Sequence, residues 1–249
     1  MEYWQGITLF LVGIVAGVIN IMAAGGSMIT VPVLVFMGVP GPVANGTNRI
    51  AIVAQNITAI ITFFRQGYSD FKLSLTLTLC ALPGVIVGAI LGTRLEGLWF
   101  NRTLALVMLA IMLLMTFGKG TKVEQPVSPL TPKRLFIGHL LMLIPGFFGG
   151  FIQIGVGFIL LPILNKVLGI DLVHANMHKA FIIGAYTIVA LTIFITQVEL
   201  LWLFGLCLGL GNSIGAWLGA HLAIRKGEKL IKNVLNVVLV VFIIKLLCF

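Results

Sequence analysis

"GGSMITVPVL", residues 25–34, returns as "GVGFILLPIL" at residues 155–164, and this pair decides the fold. Gly25 falls on Gly155, Pro32 on Pro162 and Leu34 on Leu164. The match extends outward. Ala44-Asn45 falls on Ala175-Asn176 after one inserted residue. "PGVIVGAILG" (83–92) falls on "LGNSIGAWLG" (210–219), so that Gly84, Gly88, Ala89 and Gly92 meet Gly211, Gly215, Ala216 and Gly219. The order is kept and the spacing nearly so, which marks a duplicated unit. The first copy reads as 1–117 and the second as 135–249. Between them lies a linker at 118–134, "GKGTKVEQPVSPLTPKR", rich in Pro, Gly and polar residues and assigned to the cytoplasmic side.

Both copies are built from apolar runs. The 249 residues are 59% hydrophobic and 9% charged, where a soluble domain carries about 25% charged residues. Runs of this length and apolarity predict an all-α polytopic membrane protein. A soluble fold would expose a large apolar surface. A β-barrel would need alternating segments of about 10 residues, and the sequence has none. The net charge of +9 does not indicate nucleic acid, because there is no basic stripe with interleaved aromatics. Basic residues sit in the short gaps between apolar runs, where loops meet anionic lipid. "MEYWQGITLF" has no basic n-region and no small-residue cleavage site, so it does not read as a cleaved signal peptide. Tyr3 and Trp4 suit an interfacial belt. Cys80, Cys207 and Cys248 all lie in apolar runs without metal-type spacing and read as small buried residues.

Each unit divides into five segments: 6–24, 28–37, 44–64, 73–93 and 98–117, then 136–154, 157–168, 177–197, 200–222 and 230–248. The second segment of each unit is short. At 1.5 Å per residue, 28–37 reaches about 15 Å, half the hydrocarbon thickness. It is therefore either a re-entrant hairpin with the helix before it or part of one broken helix. Charge placement separates the topologies. If the short segment crosses together with the extended "GVPGPVANG" stretch, Arg65, Lys72, Lys119, Lys122, Lys133, Arg134, Lys166, Arg225, Lys226, Lys229 and Lys232 share one face. Arg94, Arg102 and Lys245 keep the other. The positive-inside rule then favours inverted repeats with both termini outside.

Polar residues concentrate where the units are broken: 23–28 with Pro40–Asn48, and 152–158 with Asp171–Lys179. Discontinuous segments at equivalent places in two halves point to a transporter's substrate site. Arg49 stands near the start of the third segment, and Lys179 lies one aligned position away in the other half. Helix N-termini carry partial positive charge. Two such ends with two cations make an anion site. Asn45, Thr47, Asn48, Gln153, Asn176 and His178 offer hydrogen bonds, and Gly25, Gly26, Ser27, Gly155 and Gly157 offer close backbone approach. The competing reading is that Arg49 and Lys179 snorkel to headgroups. Asn20, Gln55, Asn56, Gln153 and Asn212 read as interhelical hydrogen-bonding glue, and the Gly84/88/92 and Gly211/215/219 ridges as tight packing seams.

No Asp or Glu lies well inside an expected span, so a carboxylate relay for protons has no material, nor does a carboxylate sodium site. There is no phosphate-gripping loop, no nucleophile–base constellation and no metal-ligand cluster. The reading is of a non-enzymatic membrane protein without a cofactor.

The Gly-rich turn followed by "PVLVFMGVPGPVANGT", together with "GFFGGFIQIGVGFILLPIL", "PGVIVGAILGTRL" and "LGNSIGAWLGAHL", resembles the TauE/SafE-type sulfite exporters, the TSUP transporters. The resemblance covers essentially the whole chain. It implies a multi-pass inner-membrane transporter of sulfite or organosulfonates, often an exporter. Gly25, Gly26 and Thr47 match the family's turn and helix start in the first half, and Gly155 and Gly157 match in the second. Asn48 departs from the expected Ser, and His178-Lys179 from the expected Thr-Ser. The expected partners are a small sulfur-containing anion and the lipid bilayer, with a homo-oligomer left open. The rival readings are a cation-coupled importer or channel for another anion, and a non-transporting membrane scaffold.

Overall fold

The computed structural model describes residues 3–23, 25–95, 97–117 and 130–248. The expected linker positions 118–129, with Lys119 and Lys122, lie outside the described residues, as do the side chains of Lys226, Lys229, Lys232, Lys245 and Cys248. The regular elements among the described residues are helical: α1 (Tyr3–Ala23), α2 (Ser27–Phe36), α3 (Gly41–Arg65), α4 (Phe71–Thr93), α5 (Gly97–Phe117), α6 (Pro132–Leu141), α7 (Leu143–Phe151), α8 (Val156–Pro162, continued by one π turn over Ile163–Val167), α9 (Leu172–Gln197) and α10 (Trp202–Cys248).

Five stretches among the described residues are long and apolar enough to cross a bilayer: Tyr3–Met22, Phe71–Thr93, Pro132–Phe151, Leu172–Gln197 and Trp202–Arg225. The protein is a multi-pass, all-α membrane protein. Exposed Ile7, Leu11 and Val15 on α1, and Leu203, Leu206 and Leu210 on α10, form the apolar exterior that lipid requires and water would not tolerate. α3 is not among the five stretches. Its 25 residues would reach about 37 Å, but Asn45, Thr47, Asn48, Arg49, Gln55, Asn56 and Thr62 lower its hydropathy. All seven are buried, because α3 packs between α9 and α10.

Three boundaries differ from the sequence reading. The helix expected at 136–154 begins at Pro132, inside the expected linker, and bends at Met142 between α6 and α7. Pro145 explains the bend: it lacks an N–H, and its ring would clash with the carbonyl of Leu141. The third segments begin earlier than expected, at Gly41 and Leu172. The expected last two segments, 200–222 and 230–248, form a single helix of 47 residues, about 70 Å long. Arg225-Lys226-Gly227-Glu228-Lys229 has only one weak helix former, so nothing local ends the helix there. The corresponding break in the first half has Gly97 at φ +56°.

Packing exchanges partners between the halves: α1 lies along α10, and α4 along α7. The glycine ridges are the contact surfaces. A Cβ on Gly88 would lie 2.2 Å from the Phe147 carbonyl oxygen, and one on Gly215 would lie 2.1 Å from that of Ile14. At the first reversal, a Cβ on Gly26 would lie 2.3 Å from the Ala16 carbonyl oxygen. The chain therefore folds back on α1 directly after leaving it. Each short element centres an apolar cluster, Val31 and Leu34 of α2 in one and Leu160 and Leu161 of α8 in the other.

Candidate functional site

Pro40 is extended and Pro42 occupies the first turn of α3, a position where proline's missing N–H is harmless. Arg49 is thus eight residues inside the helix, about 12 Å from its start, and not in its first turn. It is fully buried. Nη1 donates to the Gly149 carbonyl at 2.9 Å and to Gln153 Oε1 at 3.3 Å. Nη2 donates to the Gly150 carbonyl and makes a long contact of 3.5 Å with Asn45 Oδ1. The guanidinium lies 4.4 Å from the Phe194 ring centroid. Gly149 and Gly150 belong to the last turn of α7, where carbonyls lack helical partners and carry partial negative charge. Arg49 caps that end.

α9 begins under an Asp171 cap, its carboxylate accepting from the backbone N–H groups of Val173 and His174 at 3.0 and 3.1 Å. Lys179 lies seven residues in and is 2% exposed. Its Nζ donates to the carbonyls of Asn20 and Ile21, both at 2.9 Å, and to Asn176 Oδ1 at 2.7 Å. Three acceptors around one nitrogen require all three ammonium hydrogens. Asn20 and Ile21 form the last turn of α1. Each cation therefore closes the C-terminal end of the first helix of the other unit. The helix ends beside the cations supply carbonyls, where the sequence reading expected N–H groups. Burial of 0% and 2% also removes headgroup snorkelling for Arg49 and Lys179.

A second exchanged tie repeats beside the first. Thr47 Oγ1 accepts from the Leu201 N–H at 3.1 Å. Ser74 Oγ donates to the Asp70 carbonyl at 3.0 Å, leaving its oxygen to accept from His178 Nδ1 at 2.7 Å. In the register that pairs Gly84 with Gly211, Ser74 is the counterpart of Leu201. Asn45 Nδ2 donates to the Phe151 carbonyl at 2.8 Å, and Thr30 Oγ1 donates to Asn48 Oδ1 at 2.7 Å. Gln153 Nε2 makes a 3.4 Å contact with Thr187 Oγ1. Gln153 itself has φ +62°, a left-handed conformation that non-glycine residues rarely adopt and that collects at functional sites. Gly155 follows at φ +68°.

The electrostatics are one-sided. Among the described residues the one ion pair is the exposed His174–Asp171 contact at 2.5 Å. Arg49 and Lys179 meet only neutral acceptors. Three buried N–H donors nearby in sequence have no partner among the described residues: Asn48 Nδ2, Arg49 Nε and Asn176 Nδ2. Of the residues read as interhelical glue, Asn20 Nδ2 does donate to Gln55 Oε1 across α1 and α3, at 3.1 Å. Asn56 instead donates to its own helix at Ile52. Both polar atoms of the Asn212 side chain are buried without a partner among the described residues.

The sulfite exporter TauE/SafE family model matches residues 9–246. The chain belongs to the sulfite exporter TauE/SafE family. A probable membrane transporter protein, ORF9, of Sinorhizobium sp is 30% identical over 239 residues, covering 96% of this chain and 91% of that protein. A probable membrane transporter protein of Haemophilus influenzae is 29% identical over 224 residues, covering 90% and 87%. The probable membrane transporter protein YfcA of Escherichia coli is 28% identical over 244 residues, covering 96% and 88%. No solved structure matches.

In this TauE/SafE transporter the turn residues Gly25, Gly26 and Ser27, and Gly155 and Gly157, are all buried. Neither cation bonds these residues: their carbonyl acceptors lie in the helix turns before the glycine turns, and their side-chain acceptors are Asn45, Gln153 and Asn176. Residues that the sequence reading missed are Gly149 and Gly150, which act through carbonyls, and Thr30, Ser74, Thr187 and Phe194. A hydroxyl inside an apolar segment was the available signal for Thr30 and Thr187. Nothing local marks a carbonyl as a ligand for a distant cation.

Proposed function

We propose that this transporter moves a small sulfur-containing oxyanion, of the sulfite or organosulfonate class, outward across the inner membrane by alternating access. The observation that carries the reading is the buried pair Arg49 and Lys179, which has no carboxylate partner among the described residues. Uncompensated charge inside a membrane bundle is costly, and such residues mark substrate pathways. An oxyanion supplies the missing counter-charge. Arg49 Nε, Asn48 Nδ2 and Asn176 Nδ2 replace part of its hydration, with Asn45, Thr47, His178 and Gln153 holding the surrounding frame. The glycine turns at Gly25–Gly26 and Gly155–Gly157 give the ligand room at the backbone.

The unit 1–117 and a second unit that begins with α6 at Pro132, joined by a cytoplasmic linker, act as inverted repeats. The exchange of α1 onto α10 and α4 onto α7 supports that relation. Each cation ties its own helix to the other unit, so binding an anion at the cations couples the two halves. Rocking of one against the other then alternates access. An inside-negative potential favours outward movement by about 2.3 kcal/mol per charge per 100 mV, so export needs no ATP.

Purified protein in liposomes loaded with labelled sulfite or a short sulfonate should show efflux that Arg49→Gln and Lys179→Gln each abolish while the variants remain monodisperse. Unimpaired efflux in both variants rejects the site. Efflux of an unrelated anion in place of sulfite and sulfonate rejects the substrate class.

A further inference from the structure

A separate polar cavity opens between α3 and α10. The two helices run side by side in the same direction: Gly205 lies against Thr47 and Ile50, and Gly209 against Ala51 and Ala54. Further along, Thr58, Thr62, Arg65 and Gln66 face Trp217 and His221 across a cavity of about 420 Å³. It lies where α3 stops at Arg65 and the candidate span of α10 ends at Arg225.

Its chemistry is that of an anion with hydroxyl groups. Arg65 is exposed and has no ion pair among the described residues, and no carboxylate lines the cavity. His221 Nδ1 donates to the Trp217 carbonyl at 2.9 Å, which leaves Nε2 for a ligand. Thr58 and Thr62 donate their own hydrogens to the carbonyls of Ala54 and Thr58, at 3.0 and 2.8 Å, and so present oxygen acceptors. Trp217 is half exposed, as an interfacial belt residue is. The duplicated fold does not require this set. In the repeat register Thr58, Thr62 and Arg65 correspond to Val189, Ile193 and Thr196, and Trp217 and His221 correspond to Ile90 and Arg94.

We propose that this cavity binds the phosphodiester headgroup of an anionic, glycerol-bearing phospholipid. Arg65 holds the phosphate, His221 Nε2 and the threonine oxygens accept from the headgroup hydroxyls, and the Gln66 amide accepts from or donates to them. Basic pockets between helices at the cytoplasmic side are the usual place for such headgroups.

The test is lipid retention by the purified full chain, measured by native mass spectrometry after exchange into mixed micelles containing phosphatidylglycerol or phosphatidylcholine. The wild type should retain phosphatidylglycerol over phosphatidylcholine by at least about fivefold, the ratio expected for one basic residue near a membrane surface. Arg65→Gln and His221→Gln should each lower that ratio, and the double variant should bring it to parity. Arg102→Gln is the control, a cation 5.6 Å from the Trp99 ring centroid and outside the cavity, and should leave the ratio unchanged. Soluble glycerol 3-phosphate separates the sources: no competition supports the lipid, while full competition assigns the cavity to a free phosphate ester and overturns the lipid. Equal retention of both lipids by the wild type, or an unchanged ratio in Arg65→Gln, overturns the site. Sulfite efflux has no part in the readout, so failure here leaves the transport reading standing.

Discussion

Arg49 and Lys179 do the same structural work by different means. Both close the last turn of the other unit's first helix, and both lean on an asparagine one turn or less before them, Asn45 and Asn176. The lysine is saturated: its three hydrogens go to Asn20, Ile21 and Asn176. The arginine keeps Nε without a partner, stacks on Phe194 and touches a residue with left-handed backbone. A compact ammonium can be wholly spent on capping, whereas a five-donor fork caps and still has a hydrogen left. The two cations are therefore not interchangeable in the site proposed above. There the Lys179 end would offer charge and the Asn176 amide, and the Arg49 end charge and a direct N–H donor.

The largest expected effect tests the shared role. Lys179→Met leaves two helix-end carbonyls and Asn176 Oδ1 unpaired, each at about 1–3 kcal/mol. Arg49→Met leaves a similar set. Both variants should unfold at much lower temperature than wild type in detergent, followed by intrinsic fluorescence; a stable Lys179→Met would break the capping account. Next, Asn176→Asp puts a carboxylate against the lysine ammonium at the 2.7 Å contact, while Asn45→Asp does so at the long 3.5 Å contact. Each new carboxylate takes the counter-charge role of the anion. Efflux should fall at least about tenfold, or 1.4 kcal/mol, in Asn176→Asp and less in Asn45→Asp; the reverse order would say the arginine end is the tighter one.

The paired seams are expected to respond alike. Gly88→Ala and Gly215→Ala drive a methyl into a backbone carbonyl at 2.2 and 2.1 Å, and overpacking of this kind costs about 1–3 kcal/mol. Comparable drops in melting temperature support equivalent seams; a drop in one alone separates them. The smallest effect concerns the strained turn. Gln153→Gly and Gln153→Ala lose the same side-chain contacts, but only glycine relieves the left-handed backbone. The glycine variant should be more stable than the alanine variant by about 1 kcal/mol, read from the two unfolding curves.

Much of the architecture was legible in the residues themselves. Glycines four apart at 84, 88 and 92, and at 211, 215 and 219, announced close seams, because only a missing side chain lets two backbones approach. The turns at Gly25–Gly26 and Gly155 were legible for a related reason. The bend at Met142 was legible in principle from Pro145, yet the apolar run carries straight through it. The continuity of α10 past Arg225 was not, since a charged stretch reads as a loop while its residues favour helix. Arg49 and Lys179 stood out in the sequence as cations inside apolar segments, but the polarity of their surroundings was not legible there. A cation near a helix start suggests an anion-binding N-terminus, and the carbonyl partners in fact come from C-terminal turns a hundred or more residues away.

Composition and internal repetition by themselves determined that the chain lives in a bilayer, is helical, repeats its own sequence and carries two intramembrane cations one aligned position apart in the repeat. Those properties follow from hydropathy and spacing, which are local and additive along the chain. Tertiary structure alone decided which carbonyls each cation meets, that α3 is sheltered by α9 and α10, and that Arg49 Nε and the Asn48 and Asn176 amides keep N–H groups without a partner among the described residues. Such pairings depend on which helix ends the packing seams bring together, and a seam joins positions that no sequence window contains.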